Sequence, residues 1–347
     1  MKIFLLLIII CISVNVFSQT STDSIFSSPK LIDKSLSFDG TLKTRIEMST
    51  DSGMIRFNVR NTRFGFRGNI SEELSYRVQM ELSNEGVFQI LDIYGTLKPT
   101  KNFSFLLGQQ LIPFENSYII TPSELMFANR TFVGKFFTPG TRDIGAVAQY
   151  KFSIGGFPME GQIGLFNGGR INNPTWTSRP SFACRLIAGS MDGFRASAKV
   201  YKYYREPLPN VSELNILLTG TDVHYDNNRL RVEAELMNRH SYNDGLDLSG
   251  AYIQGAYTVG LPNAKMFNCL TPVLRWDAMG YDFWKSSFDV NRLTAGINFG
   301  LTIIPFDSLI RINYEQYFVP DGLVFPDFDN LQHVADNKLT VELLIKF

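Results

Sequence analysis

Alternation constrains this chain more than any other feature. In "RLTAGINFGLTI", residues 292–303, Leu293, Ala295, Ile297, Phe299, Leu301 and Ile303 share one face, while Arg292, Thr294, Gly296, Asn298, Gly300 and Thr302 share the other. Successive side chains of a strand point to opposite sides, so period two marks a β-strand with one apolar and one polar face. The same split recurs at 74–82, where Leu74, Tyr76, Val78, Met80 and Leu82 oppose Ser75, Arg77, Gln79 and Glu81. At 194–200, Phe194, Ala196, Ala198 and Val200 oppose Arg195, Ser197 and Lys199. At 229–236, Leu230, Val232, Ala234 and Leu236 oppose Arg229, Arg231, Glu233 and Glu235. Charges on the polar face read as meeting water.

Sixteen segments carry this signal, at about 34–48, 54–69, 73–84, 87–97, 102–110, 143–152, 157–168, 179–188, 193–204, 212–225, 228–240, 248–259, 270–279, 288–304, 308–318 and 336–347. Their connections alternate. "GNIS", "KPTKN", "SIGGFP", "GSMDG", "DNN" and "FDS" are tight, whereas 111–142, 169–178, 241–247, 280–287 and 319–335 are mostly longer. An even strand count with short turns at one end and longer loops at the other predicts an all-β fold: a transmembrane antiparallel β-barrel of the outer membrane, wide enough for an aqueous lumen. The final run, "LTVELLIKF", keeps Leu339, Val341, Leu343, Ile345 and Phe347 on one face. In a closed barrel such a strand pairs with the first and gives its apolar face to lipid, leaving no edge. A terminal aromatic on an alternating strand also suits recognition by the barrel-assembly machinery, with Phe347 as the signal.

Composition agrees with this reading. Aromatic residues make up 13% and charged residues 19%, and the 33 basic and 33 acidic side chains cancel, which argues against a nucleic-acid surface. Mean hydropathy is near zero, as equal shares of lipid-facing and water-facing positions would give. Residues 1–18 read as a secretory signal peptide, with Lys2 ahead of a short apolar core and an exit at Val16-Phe17-Ser18. Residues 19–33 read as a loose periplasmic leader and 34–347 as the barrel, placed in the outer membrane of a Gram-negative bacterium. Cys184 and Cys269 are too few for a disulfide framework and read as reduced, buried thiols.

Three stretches carry a more specific likeness. "IRFNVRNTRFGFRGNISEELSYRVQMEL" contains an arginine-rich second strand running into Phe64-Gly65-Phe66-Arg67-Gly68. "ILDIYGTLKPTKNFSFLLGQQLIPF" ends in a Gly-Gln-x-x-x-Pro-Phe approach to the third external loop, Gly108 to Phe114. "TPSELMFANRTFVGKFFTPGTRDIGAV" leaves that loop through Arg142-Asp143-Ile144-Gly145. Over about 54–152 the chain resembles the phosphate-selective porin O and P family. The resemblance implies a sixteen-stranded, homotrimeric channel in outer-membrane lipid.

The narrowest point of a channel holds its chemistry. Residues 111–142 form a long loop without strand pattern, and such loops are usually functional. Ile112, Phe114, Ile119, Ile120, Leu125, Phe127, Phe132, Phe136 and Phe137 are too many apolar residues to lie free in water, so the loop is expected to fold inward as a constriction. Its charges are Glu115 and Glu124 against Arg130, Lys135 and Arg142. The second strand adds Arg56, Arg60, Arg63 and Arg67, with no carboxylate between Met54 and Asn69. Guanidinium groups are permanently charged forks that suit phosphate and carboxylate oxygens, and a ring of them admits anions. A change of face near Asn61-Thr62 means that these four share the lumen only if the strand is bulged. In the competing arrangement they face the loop carboxylates across the pore of a general porin.

Other patterns are sparse. His224, His240 and His333 are dispersed, in or beside turns, with no metal-ligand spacing. No nucleophile elbow or phosphate loop is present. Tyr94, Trp276, Tyr314 and Tyr317 read as interfacial belts. The expected function is passive diffusion of small hydrophilic solutes, anionic (phosphate among them) or neutral, without cofactor, metal or covalent step. A receptor or adhesin, and then a barrel hydrolase, are the alternatives.

Overall fold

The computed structural model describes residues 36–347 except 83–87, 115, 117–119, 132, 135–136, 208–211, 282–288, 303–307 and 320–335. The expected signal peptide and leader therefore lie outside the described residues, as does His333. Eighteen strand segments follow in chain order: β1 (Leu36–Ser49), β2 (Ile55–Val59), β3 (Thr62–Asn69), β4 (Leu74–Leu82), β5 (Phe88–Leu97), β6 (Phe103–Leu111), β7 (Arg142–Ile154), β8 (Phe157–Phe166) and β9 (Ser181–Gly189), then β10 (Gly193–Arg205), β11 (Leu214–Asp226), β12 (Leu230–Ser241), β13 (Asp247–Tyr257), β14 (Val259–Gly260), β15 (Phe267–Gly280), β16 (Val290–Leu301), β17 (Ser308–Phe318) and β18 (Lys338–Lys346). Two staves are interrupted, β2 with β3 and β13 with β14, so the wall has sixteen staves, as the alternation predicts. All pairings are antiparallel between sequence neighbours, and β1 with β18 closes the ring.

Closure is sealed at its lower end by Phe347. Its N–H donates to the Gly40 carbonyl at 3.1 Å, Gly40 N–H donates back at 2.8 Å, and its ring lies 5.7 Å from that of Phe38. A Cβ on Gly40 would stand 2.5 Å from the Phe347 ring, so glycine leaves the space that the aromatic fills.

The outer face carries the apolar half of each alternation, including Leu42, Ile46, Phe105, Leu107, Ile253 and Leu274, all exposed. Water would make this costly, whereas lipid makes it favourable, so an apolar-outside barrel of sixteen antiparallel strands is an outer-membrane architecture. The inner face differs from expectation. Arg195, Lys199, Glu233, Glu235 and Arg292 do not meet water but are at most 5% exposed. What covers them is the loop 112–141, folded into the lumen.

Two of the expected belt tyrosines also belong inside. Tyr94 faces Arg77 across the β4–β5 ladder and lines a luminal cavity, and Tyr317 accepts a hydrogen bond from Arg292 at 3.0 Å. Trp276 and Tyr314 keep the outward parity of Leu274 and Ile312. The thiols of Cys184 and Cys269 are free and half-buried rather than buried, since the outward parity of Cys184 gives it to the lipid side. His224 is a buried strand residue paired with Glu233 at 3.1 Å, not a turn residue, because its parity in β11 is inward.

Candidate functional site: the luminal loop and the arginine-bearing wall

The loop stays inside because it brings its own core. Ile112, Phe114, Val133 and Phe137 are buried with Val147, Phe166, Tyr201, Leu218, Met237 and Met279 from the wall, each burial contributing about 1.5–3 kcal/mol. Asn116 accepts from Arg195 at 2.6 Å and donates its N–H to Glu235 at 3.1 Å. Further along, wall side chains collect the loop's carbonyls. Arg231 donates to Glu124 O at 2.9 Å, Arg311 to Leu125 O at 2.6 Å and Ser123 O at 3.0 Å, Asn298 to Met126 O at 2.7 Å, Arg275 to Asn129 O at 3.0 Å, and Arg292 to Arg130 O at 3.0 Å. A guanidinium has five donors, so each of these arginines can serve a carbonyl and a carboxylate together. Arg292 pairs with Asp277 at 2.6 Å and Glu315 at 3.2 Å, and Arg311 with Glu342 at 2.9 Å. The β9–β18 side is thus filled by loop and closed by internally paired charge. These anchors were not singled out from sequence, where their only signal was charge on the inward parity.

Two cavities among the described residues lie on the other side, against β1 to β6. One cavity of about 740 Å³ is lined by Asp39, Arg63, Arg67, Tyr76, Arg77, Tyr94, Thr121, Ser123, Glu124 and Lys346, among others. A second, of about 420 Å³, is lined by Arg60, Asn61, Arg63, Glu81, Asn129, Arg130, Gly140, Arg142 and Arg170, among others. Arg63 lines both, and so do different parts of the loop, which places Arg63 where the two spaces adjoin. Basic side chains outnumber acidic ones in each: Arg63, Arg67, Arg77 and Lys346 against Asp39 and Glu124 in the first, and Arg60, Arg63, Arg130, Arg142 and Arg170 against Glu81 in the second. The whole chain is electrically neutral, so this imbalance is local.

The second stave answers the question of parity. Arg56 stands opposite Glu47 and Asn58 opposite Arg45, both inward positions, and Arg60 N–H donates to Lys43 O at 3.1 Å. Arg63 then stands opposite Thr41 and Arg67 opposite Ser37, inward again although the spacing has become odd. Asn61 absorbs the extra residue with φ 54°, a left-handed conformation that Asn tolerates better than most side chains. Its amide also donates to Glu81 at 3.2 Å, tying the irregularity to β4. All four arginines are therefore on the inner face, the arrangement that needed a bulge.

Their partners differ from the general-porin expectation. Arg56 pairs with Glu47 at 2.6 Å, Arg63 with Glu81 at 2.6 Å and Arg142 with Asp92 at 2.8 Å, all strand carboxylates rather than loop ones. Ladder neighbours are closer than a loop across the lumen, so they take the pairing. Arg60 donates to Asn129 Oδ1 at 3.5 Å, and neither Arg60, Arg67 nor Arg170 has an ion-pair partner among the described residues. Arg130 donates to Ile120 O at 3.4 Å. Glu124 is exposed and lies 3.7 Å from Lys346, while Glu115 and Lys135 lie outside the described residues.

No family model and no curated protein matches the chain. Solved structures do. The outer membrane channel DcaP of Acinetobacter baumannii is similar with a TM-score of 0.60 at 14% identity, covering 90% of this chain and 97% of that one. The anion-selective porin from Comamonas acidovorans gives 0.60 at 11%, covering 90% and 99%. OmpT of Vibrio cholerae, an outer membrane protein solved in a trimer form, gives 0.59 at 11%, covering 90% and 99%. At these identities the likeness is one of fold, that of outer-membrane porins.

Proposed function

We propose that this protein is an outer-membrane porin through which small hydrophilic solutes diffuse passively, with a preference for anions. The observation that carries the reading is the pair of adjoining basic cavities beside an inward-folded loop, in a chain of zero net charge. A solute crossing here passes Arg67, Arg63 and Arg60 in turn. Fixed cations lower the free energy of an entering anion, and low-dielectric walls focus their field. No bond is made or broken, so flux follows pore width and local potential.

Phosphate belongs to the proposed solutes because a forked guanidinium matches its oxygens, and because the arginine-rich stave resembles that of the phosphate-selective porin O and P family. The Comamonas porin, described as anion-selective, supports the sign of the preference, and the trimer form of the Vibrio protein supports a homotrimer. The deciding measurement is the reversal potential of single channels in a potassium chloride gradient. A potential on the anion side is expected, and Arg60→Ala is expected to move it toward cations by about five-fold in permeability ratio, since one charge near a protein surface is worth roughly 1 kcal/mol or more to a passing ion. Cation preference in the unaltered channel rules the reading out.

Phe347 is proposed as the assembly signal. Phe347→Ala is expected to reduce the fraction that runs as a compact, heat-modifiable band on gels, and an undiminished band removes that role.

A further inference from the structure

Arg170 belongs to neither the arginine-bearing stave nor the inward loop, yet it reaches the same space. It lies in the connection 167–180 between β8 and β9, outside the stretch that resembles the porin O and P family, and lines the second cavity with Arg60, Arg63, Arg130 and Arg142. Arg63 is neutralised by Glu81 and Arg142 by Asp92. Arg170 is exposed and has no ion-pair partner among the described residues, so a solute in the cavity meets its charge uncompensated.

Local preference does not give the segment "FNGGRINNP" this shape. Arg170 has a left-handed backbone, φ 70°, and so has Asn172, φ 56°. Asn tolerates that region, but arginine seldom adopts it, and such a residue persists only where its surroundings fix it. Two side chains from neighbouring strands do so. Asp143 at the start of β7 accepts from Gly168 N–H at 2.6 Å and from Ile144 N–H at 2.7 Å, and its third backbone partner is Arg170 itself. Gly168, φ 76°, runs so close to the wall that a Cβ there would strike the Tyr204 carbonyl, and Tyr203 donates its hydroxyl to Gly168 O at 2.9 Å. Beyond Arg170, Gln109 of β6 accepts from Asn172 N–H at 2.6 Å and donates to Asn172 Oδ1 at 3.0 Å. Gly140 completes the fit. A Cβ there would stand 3.2 Å from Arg170 Cγ, so the arginine stem crosses the end of the inward loop over a residue without a side chain. Residues 168 and 172 are each tied to the wall, and the strained residue between them extends into the cavity.

We propose that Arg170 is a selectivity-determining residue, its guanidinium contacting anions in the second cavity, and that Asp143 and Gln109 are the positioning residues that hold it there, a role that rests on the anion-preferring reading of the lumen. Arg142 and Asp143 then divide the work between them. Arg142 turns to Asp92 within the wall, while Asp143 fixes the neighbouring external connection.

Reversal potentials of single channels of the full-length protein in a potassium chloride gradient test both parts, with the heat-modifiable band confirming assembly of each variant. Arg170→Gln is expected to move the permeability ratio toward cations by about five-fold. Asp143→Asn decides the positioning role by its sign. Loss of a negative charge acting through its field alone favours anions, whereas loss of the acceptor that fixes 168–170 favours cations, and a shift toward cations is expected. In the Arg170→Gln background the same substitution is expected to add no further shift toward cations, because the residue it positions is already gone. Arg170→Cys reads the charge in an assembled channel: a cationic methanethiosulfonate reagent is expected to restore anion preference and an anionic one of similar size to lower it further. Cation preference in the unaltered channel overturns the reading on which the role rests. An anion-preferring channel whose ratio is unchanged by Arg170→Gln, and by either reagent on Arg170→Cys, overturns the role of Arg170 alone. A shift toward anions in Asp143→Asn overturns the positioning part.

Discussion

Deleting residues 116–134 is expected to raise single-channel conductance roughly two-fold or more while the barrel still assembles, because the segment fills the β9–β18 side of the lumen and its removal opens that cross-section to water. Assembly should survive for a geometric reason. Leu111 and Arg142 are ladder partners, so the ends of the shortened loop are already adjacent and no stave is disturbed. Stability should fall. Met126, Phe127 and Val133 lose their burial, at about 1.5–3 kcal/mol each, and Arg275, Arg292 and Arg311 lose carbonyl partners. Water entering the lumen offsets the second loss more fully than the first, since exposed guanidinium groups are well hydrated. The heat-modifiable band should therefore persist but convert at lower temperature. Unchanged conductance in planar bilayers means that the loop does not limit the pore.

The architecture was legible in the sequence because each stave alternates and each end of the barrel has its own connection length. The inward loop was legible too, since Phe114, Phe127 and Phe137 have no other place to be dry. What alternation does not report is the environment of the inner face. Arg292 and Glu233 read as water-facing, but whether an inward charge meets solvent or a folded loop depends on contacts between residues more than a hundred positions apart, such as Arg292 with Arg130. The stave 55–69 shows the same limit on a smaller scale. Its change of parity is visible, yet only the left-handed backbone of Asn61 decides that Arg60 and Arg63 share the lumen. Tyr94 and Tyr317 are not belt residues, because the parity of their strands turns both toward the lumen. Partner choice was likewise hidden: Glu81 in β4 neutralises Arg63, and register alone brings them face to face.

That pair gives the sharpest test of what sets selectivity. Arg63 lines both cavities and donates through Nε to Glu81 Oε2 at 2.6 Å, so the charge presented to a passing solute is that of the pair rather than of the arginine alone. Glu81→Gln keeps the shape of the side chain and removes its charge, leaving the guanidinium uncompensated where the spaces adjoin. Anion preference is then expected to rise about five-fold at low salt, for roughly 1 kcal/mol of added attraction. Arg63→Gln leaves the carboxylate instead, and the reversal potential is expected to move toward cations by a similar factor. The double variant should fall near the unaltered protein, because the two charges cancel in both, and the single effects should shrink between 0.1 M and 1 M salt as the screening length drops from about 10 Å to about 3 Å. If the two single variants shift selectivity in the same direction, the change comes from pore shape, not field. If neither shifts it while Arg60→Ala does, the field at Arg60 sets selectivity and the Arg63–Glu81 pair contributes none of it.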